Sequence, residues 1–117
     1  MQTLKERIEH LNHLVLEGKA LDAFEMYYDD EVVMQENSAQ PTIGKKANRQ
    51  RELDFFANIT EFRGAAAEAV AVGEDITTVI WHYDYTHREW GIRNYKQVSV
   101  QHWKNGKIVK EEFFYGN

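Results

Sequence analysis

The acidic residue Glu111 falls on what we expect to be the apolar face of a C-terminal β-strand. Side chains alternate along a strand, so Glu111 shares a face with Phe113 and Tyr115, opposite Lys110 and Glu112. Burying a lone carboxylate costs several kcal/mol, more than the roughly 2 kcal/mol that a neighbouring apolar side chain contributes. Glu111 must therefore be paired, hydrated or held with a raised pKa, as in a binding pocket. We predict that it is a general base or a ligand-orienting acid.

His102 and Asp84 are the other catalytic candidates. If Trp81 lies opposite Val100 on the neighbouring strand, apolar residues meet and His102 shares the face of Glu111. There His102 would shuttle a proton or stabilise an oxyanion; the alternative is a hydrogen-bonded core histidine that pairs with Glu111. Asp84 lies on the other face of its strand, and it becomes the acid if the register is off by one.

Further side chains are expected to line a pocket because they lie on the inward strand faces, on the second helix or after the first strand. They are Trp81, Tyr83, Tyr85, Val100, Phe113, Tyr115, Tyr27 and Glu36. The tyrosine hydroxyls would donate hydrogen bonds to a carbonyl or enolate oxygen; the alternative is simple core packing. For Glu36 the alternative is an exposed loop carboxylate.

The opposite face of the same two strands is polar and favours contact with a second copy of the chain. Its expected members are His82, Asp84, Gln97, Ser99 and Gln101. The strand histidines do not fall into one metal-ligand spacing and there is no cysteine, so we predict no metal site. No phosphate-binding or dinucleotide fingerprint is present, and we predict no cofactor.

Three helices precede most of the strands. Thr3 and Glu6 form a capping box for the first helix, which Gly18 ends. The second helix buries Leu21 and Phe24. The third helix, over about 45–58, is polar and is expected to turn four residues inward: Ala47, Leu53, Phe56 and Ala57.

The strands follow as an antiparallel series. A short strand at 32–34 comes first, and longer strands are expected at 61–72, 76–87, 93–103 and 107–115. Asn105-Gly106 between the last two is a strong hairpin signal, because both turn positions tolerate positive φ. Helices followed by a meander indicate an α+β fold, in which a strongly curved, mostly antiparallel sheet wraps the helices into a cone-shaped barrel.

Composition limits the function classes. The 117 residues have the size of one domain, 1–117, with 43% hydrophobic and 13% aromatic residues. The net charge of −5 argues against general binding to nucleic acid or to an anionic membrane. The first residues, MQTLKERIEHLN, lack the apolar stretch of a signal peptide, so a cytoplasmic location is expected.

The C-terminal hairpin carries a family resemblance. The run from Trp103 to Tyr115 has the form W-x-(D/N)-G-K-I-V-x-E-x-F-F-Y, and an aromatic strand ends in Thr86-His87. Both features resemble the SnoaL-like branch of the nuclear transport factor 2-like superfamily. The resemblance covers nearly the whole chain and implies a cone-shaped fold and a homodimer.

For function, the resemblance implies a protein that binds an apolar or aromatic small molecule. An enzyme of this kind would perform acid–base isomerisation, cyclisation or hydration without a cofactor. The alternative is a non-catalytic ligand-binding or dimerisation module. Polyketide cyclases of the family place an aspartate near the end of the last strand, where this chain reads Phe114-Tyr115-Gly116-Asn117.

Overall fold

The computed structural model describes residues 2–116, so Met1 and Asn117 of the predicted domain lie outside the described residues. Three helices and five strands follow the order predicted from the sequence, and one short strand, Thr42–Ile43, was not predicted. The elements are α1 (Leu4–Leu16), α2 (Ala20–Tyr27), β1 (Tyr28–Glu36), β2 (Thr42–Ile43), α3 (Lys45–Ala57), β3 (Ile59–Val72), β4 (Ile76–His87), β5 (Gly91–Lys104) and β6 (Lys107–Phe114). The prediction of an α+β fold is confirmed.

Helix α1 forms where its capping residues predict it. The Thr3 hydroxyl accepts a hydrogen bond from the Glu6 amide at 3.1 Å, and the Glu6 carboxylate accepts one from the Thr3 amide at 2.9 Å. Ile8 and Leu11 are buried in the core that α1 shares with α2 and the sheet. Gly18 adopts φ +79° just past the helix end, as a glycine there commonly does.

All six strands of the described residues form one sheet, in the order β2-β1-β6-β5-β4-β3. Strands β3 to β6 make the predicted meander, while β1 pairs with β6 in the parallel direction. The Asn105-Gly106 turn has φ angles of +54° and +78°, as predicted. The sheet is not closed, and the helices pack on one of its faces.

Strand β3 carries register shifts at both ends of its run of small residues, Gly64 to Ala67. An extra residue bends a strand and increases its twist, so these shifts help the long β3–β4 ribbon to curve. Small side chains at the shifts permit close packing, which is why the sequence places glycine and alanine there.

The predicted pairing of β4 with β5 is wrong by three residues. Trp81 pairs with Gln97 instead of Val100. Gly91 adopts φ +75° and pairs with His87, so β5 begins earlier than expected, after a connection of three residues. Because the slip is an odd number of residues, it exchanges the two faces of β5.

A second departure lies in β6. Its register against β5 shifts between His102 and Trp103, and Ile108 pairs with Trp103. Ile108 is therefore fully buried, whereas strict alternation from Glu111 would have turned Val109 inward. Val109 is the extra residue of this bulge, and beyond it Glu111 faces the interior as predicted.

No helix within residues 2–116 combines the length and the apolar character needed to cross a bilayer.

Candidate functional site

The interior carboxylate of Glu111 is held by two hydrogen bonds. Its side chain is only 3% exposed. The Tyr28 hydroxyl donates to Oε1, and Gln101 Nε2 donates to Oε2 at 2.7 Å. Burial raises the pKa of Glu111 to about 7, although both hydrogen bonds favour the charged form and oppose the rise. The group therefore exchanges a proton near neutral pH.

A series of hydrogen bonds between buried side chains fixes the orientation of the Gln101 amide, which donates to Glu111. Trp103 Nε1 donates to Thr77 Oγ1 at 2.9 Å, and the Thr77 hydroxyl donates to Gln101 Oε1 at 2.7 Å. With its oxygen thus engaged, the Gln101 amide must present its NH₂ group to Glu111. The orientation of the Glu111 carboxylate therefore depends on Thr77 and Trp103, although neither is hydrogen-bonded to it directly.

A second acid, Glu52, faces the same region from α3. The pKa of Glu52 is raised to about 8, mainly by burial and then by the negative charge of Glu111, while the positive charge of Arg51 opposes the rise. Glu52 is half-buried and has no ion pair or hydrogen bond through its side chain within residues 2–116. Two carboxyl groups that both have raised pKa values near neutrality are suited to act as an acid and a base.

Sequence analysis missed Glu52 because the predicted inward side of α3 is wrong. Ala47, Leu53, Phe56 and Ala57 are exposed. The helix is instead pinned by Asn48, whose amide donates to the carbonyl oxygens of Val32, Thr42 and Gly44. Asn48, Glu52 and Phe55 follow one another at helical spacing, so they lie on one side of α3. Nothing in the sequence of α3 distinguishes this side, because the burial of Asn48 is visible only in the structure.

Tyrosines surround the two acids. Tyr83 stacks on Trp81 with ring centres 5.5 Å apart. Burial and then the charge of Glu111 raise the pKa of Tyr83, and Glu52 contributes to the rise. The Tyr83 hydroxyl has no hydrogen-bond partner within residues 2–116, so it remains available as a donor to a ligand.

Beyond Tyr83, four residues form what we call the rim cluster: Glu36, Arg51, Tyr95 and Tyr115. The Tyr115 hydroxyl donates to Glu36 at 3.1 Å, and Arg51 forms an ion pair with the same carboxylate. Tyr95 lies against Tyr115 and shares a 2.9 Å hydrogen bond with the buried Tyr85. The structure thus brings the predicted Glu36, Tyr85 and Tyr115 into one neighbourhood.

One of the remaining predicted lining residues lies apart from this cluster. Tyr27 packs on Trp103 and its hydroxyl is hydrogen-bonded with His10, in the core under α1. Phe113 pairs with Glu36 in the β1–β6 register, and its half-buried side chain packs against the core.

Three predicted site residues lie on the outer face of the sheet: Asp84, as its position on β4 predicts, and His102 and Val100, because of the register of β5. His102 Nε2 is 2.9 Å from Glu112 Oε1, and Asp84 accepts a hydrogen bond from Arg63 at 2.8 Å. Val100 pairs with Glu112 on this face. The expected placement of His102 and Val100 beside Glu111 is wrong.

The reversed faces of β5 also divide the predicted dimer face between the two sides of the sheet. His82 and Asp84 do lie on the outer side of β4, whereas the three β5 members point inward and are buried. Those three are Gln97, Ser99 and Gln101. Within residues 2–116, no three histidine or acidic side chains are grouped as metal ligands.

Comparison with known proteins adds a family and a set of related folds. A family model described as a SnoaL-like domain matches residues 2–115. A candidate SnoaL-like polyketide cyclase from Mesorhizobium loti is 27% identical, with a TM-score of 0.89 over 97% of this chain and 100% of its own. No curated protein matches the chain significantly.

Two more distant structures share the fold. A protein of unknown function with a cystatin-like fold from Xanthomonas campestris is 10% identical, with a TM-score of 0.85 over 99% of this chain and 92% of its own. A candidate isomerase from Rhodopseudomonas palustris is 13% identical, with a TM-score of 0.74 over 100% of this chain and 92% of its own.

Proposed function

This chain belongs to the SnoaL-like domain family, and on that premise we propose that it binds an apolar or aromatic, oxygen-bearing small molecule and transfers protons on it. The observation that carries the proposal is the pair of interior acids, Glu111 and Glu52, with pKa values raised to about 7 and about 8. Burying two acids is costly, and such pairs are enriched at sites of acid–base chemistry.

In the proposed reaction Glu111 is the base. Near neutral pH a large fraction of it is ionised, and each of its oxygens retains a second lone pair beside the hydrogen bonds from Tyr28 and Gln101. It removes a proton from the carbon beside a carbonyl group. Glu52 is largely protonated at this pH and gives its proton to the carbonyl oxygen, while the Tyr83 hydroxyl donates a hydrogen bond. The product of this step is an enol.

Proton removal beside a carbonyl is measurable without knowing the natural substrate. We expect the protein to catalyse hydrogen–deuterium exchange in members of a panel of aryl ketones in D₂O, followed by proton NMR. Glu111→Gln and Glu52→Gln are each expected to lower the exchange rate roughly 10²- to 10⁴-fold, the usual contribution of a positioned acid or base.

Glu112→Gln is the matched control, because Glu112 is the next residue on β6 but faces outward toward His102. It should exchange at the wild-type rate. Wild-type-like exchange by Glu111→Gln, or an equal loss in the control, would contradict the assignment. If no ketone exchanges with the wild-type protein, the non-catalytic binding or dimerisation module is favoured.

A second role is proposed for the outer face of the sheet, which we assign to contact with a second copy of the chain. One row across four strands is apolar: Ala69, Ile80, Val98 and Phe114. Ile80 and Phe114 are 36% and 43% exposed. Ion pairs around this row present both signs of charge, so two copies related by a two-fold axis can match opposite charges.

Placing a charge in the apolar row should therefore dissociate the dimer. We expect sedimentation velocity to give a dimer for the wild-type protein and for Ile43→Glu, whose side chain is exposed on the far edge strand β2. Ile80→Glu is expected to be a monomer with an unchanged circular dichroism spectrum. A monomeric wild-type protein, or a dimer that survives Ile80→Glu, would refute this interface.

A further inference from the structure

Arg93 is a positively charged side chain on the interior face of β5, beside the rim cluster. It shares that face with Tyr95 and Gln97 and pairs across the sheet with Tyr85. The Arg93 Cζ atom lies 4.7 Å from the ring centre of Tyr95. A guanidinium stacked on an aromatic ring keeps its edge free for planar hydrogen bonding.

Two other arginines beside the sheet are paired, whereas Arg93 is not. Arg51 binds Glu36, and Arg63 binds Asp84. The carboxylate of the rim cluster is thus already shared between Arg51 and the Tyr115 hydroxyl. Within residues 2–116, Arg93 forms neither an ion pair nor a side-chain hydrogen bond, although the chain has a net charge of −5. An uncompensated, half-buried cation on the interior face is suited to an anionic ligand.

Resting on the proposed function, we infer that the small molecule carries a carboxylate and that Arg93 binds it, which makes Arg93 a specificity-determining residue. A carboxylate matches the planar fork of one guanidinium through two parallel hydrogen bonds. It also carries a single charge, which one arginine balances. The Tyr95 hydroxyl supplies a further donor when Tyr85 provides the hydrogen of the bond that the two tyrosines share.

Aromatic side chains lead from the anion site toward the two acids. The ring of Tyr95 is 6.0 Å from that of Tyr83, and Tyr83 lies within the electrostatic reach of both Glu111 and Glu52. A ligand with aromatic rings can therefore lie along these side chains with its carboxylate on Arg93.

A matched pair of probes tests the inference: 2-naphthoate, which is an anion, and 2-naphthamide, its neutral counterpart of nearly the same shape. We expect titration calorimetry to show that the wild-type protein binds the carboxylate roughly 10- to 100-fold more tightly than the amide. Arg93→Gln should abolish this preference by weakening the binding of 2-naphthoate and leaving the binding of 2-naphthamide unchanged. Arg93→Lys keeps the charge but loses the planar fork, so it should retain part of the preference.

Arg88→Gln is the control, since Arg88 is an exposed arginine in the connection just before β5. It should bind both probes as the wild-type protein does. The inference is overturned if the wild-type protein binds the two probes equally, if it binds neither at millimolar concentration, or if the preference survives Arg93→Gln. A melting temperature for each variant separates lost binding from lost folding.

Different measurements test the anion site at Arg93 and the proposed proton transfer. Deuterium exchange in neutral ketones depends on Glu111 and Glu52, and it should persist in the control Arg88→Gln. A wild-type protein that catalyses deuterium exchange but binds 2-naphthoate and 2-naphthamide equally would overturn only the anion site. Carboxylate binding that depends on Arg93, without exchange in any ketone or keto acid, would overturn the proton-transfer role and leave a protein that binds organic acids.

Discussion

Replacing Glu111 with Gln is expected to stabilise the protein at pH 8, by up to about 3 kcal/mol, and to leave its stability at pH 4 unchanged. The folded-state pKa of about 7 lies above the value of 4.5 for an unperturbed glutamate. As the pH rises from about 4.5 to about 7, the unfolded chain releases this proton first. The unfolded state thereby gains stability relative to the folded state, and the free energy of unfolding falls over that window.

The amide of Glu111→Gln avoids this loss because it does not ionise. Its oxygen can accept from Gln101 and its NH₂ group can donate to the Tyr28 hydroxyl, so both native contacts have an equivalent. Urea unfolding measured between pH 4 and pH 8.5 gives the comparison. The wild-type protein should lose more stability than the variant across this range.

Glu112→Gln should follow the wild-type pH profile, since Glu112 lies on the outer face. A Glu111→Gln protein that is less stable than the wild type at every pH would show that the carboxylate holds the fold together. Combined with the expected loss of exchange activity, greater stability would instead mark Glu111 as a residue kept for function at the expense of stability.

Thr77→Val is expected to lower the free energy of unfolding by roughly 2 to 5 kcal/mol, because it leaves two buried polar atoms without partners. Valine has nearly the shape of threonine but no hydroxyl. Trp103 Nε1 loses its acceptor and Gln101 Oε1 loses its donor. Freed from Thr77, the Gln101 amide also holds the Glu111 carboxylate less firmly, so the pKa of Glu111 should rise.

Urea unfolding gives the stability change, and the indole NH resonance of Trp103 reports its lost hydrogen bond. The control is Thr78→Val, since Thr78 is the neighbouring residue on the outer face, opposite Val100. It should change stability by less than about 0.5 kcal/mol, as surface substitutions usually do. A similar small change for Thr77→Val would show that the polar chain contributes nothing to stability.

Local signals in the sequence were sufficient for most of the elements. The capping box at Thr3 and Glu6 and the Asn105-Gly106 turn each act within a few residues, so their effect does not depend on the rest of the fold. The alternation along β4 also identified Trp81 and Tyr85 as inward-facing. Glu111 could be placed in the interior for the same reason.

The errors concern features that depend on other elements. The face of β5 was misassigned because the parity of a strand pairing depends on the length of the connection, which Gly91 sets with its positive φ. Glu52 was missed because α3 is polar throughout, so its inward side is determined by the contacts of Asn48 and not by an apolar stripe. The half of the site on α3 and β5 therefore required the structure.

The position of β6 in the middle of the sheet has a consequence for biosynthesis. Although β6 is the last strand in the chain, it lies between β1 and β5 and carries Glu111. While the ribosome still holds the C-terminal segment, β1 and β5 each lack a neighbour and expose unpaired backbone groups. The nascent chain can preform α1, α2 and the β3–β4–β5 ribbon, but the sheet is completed, and the site assembled, only once β6 has left the ribosome and inserted between β1 and β5.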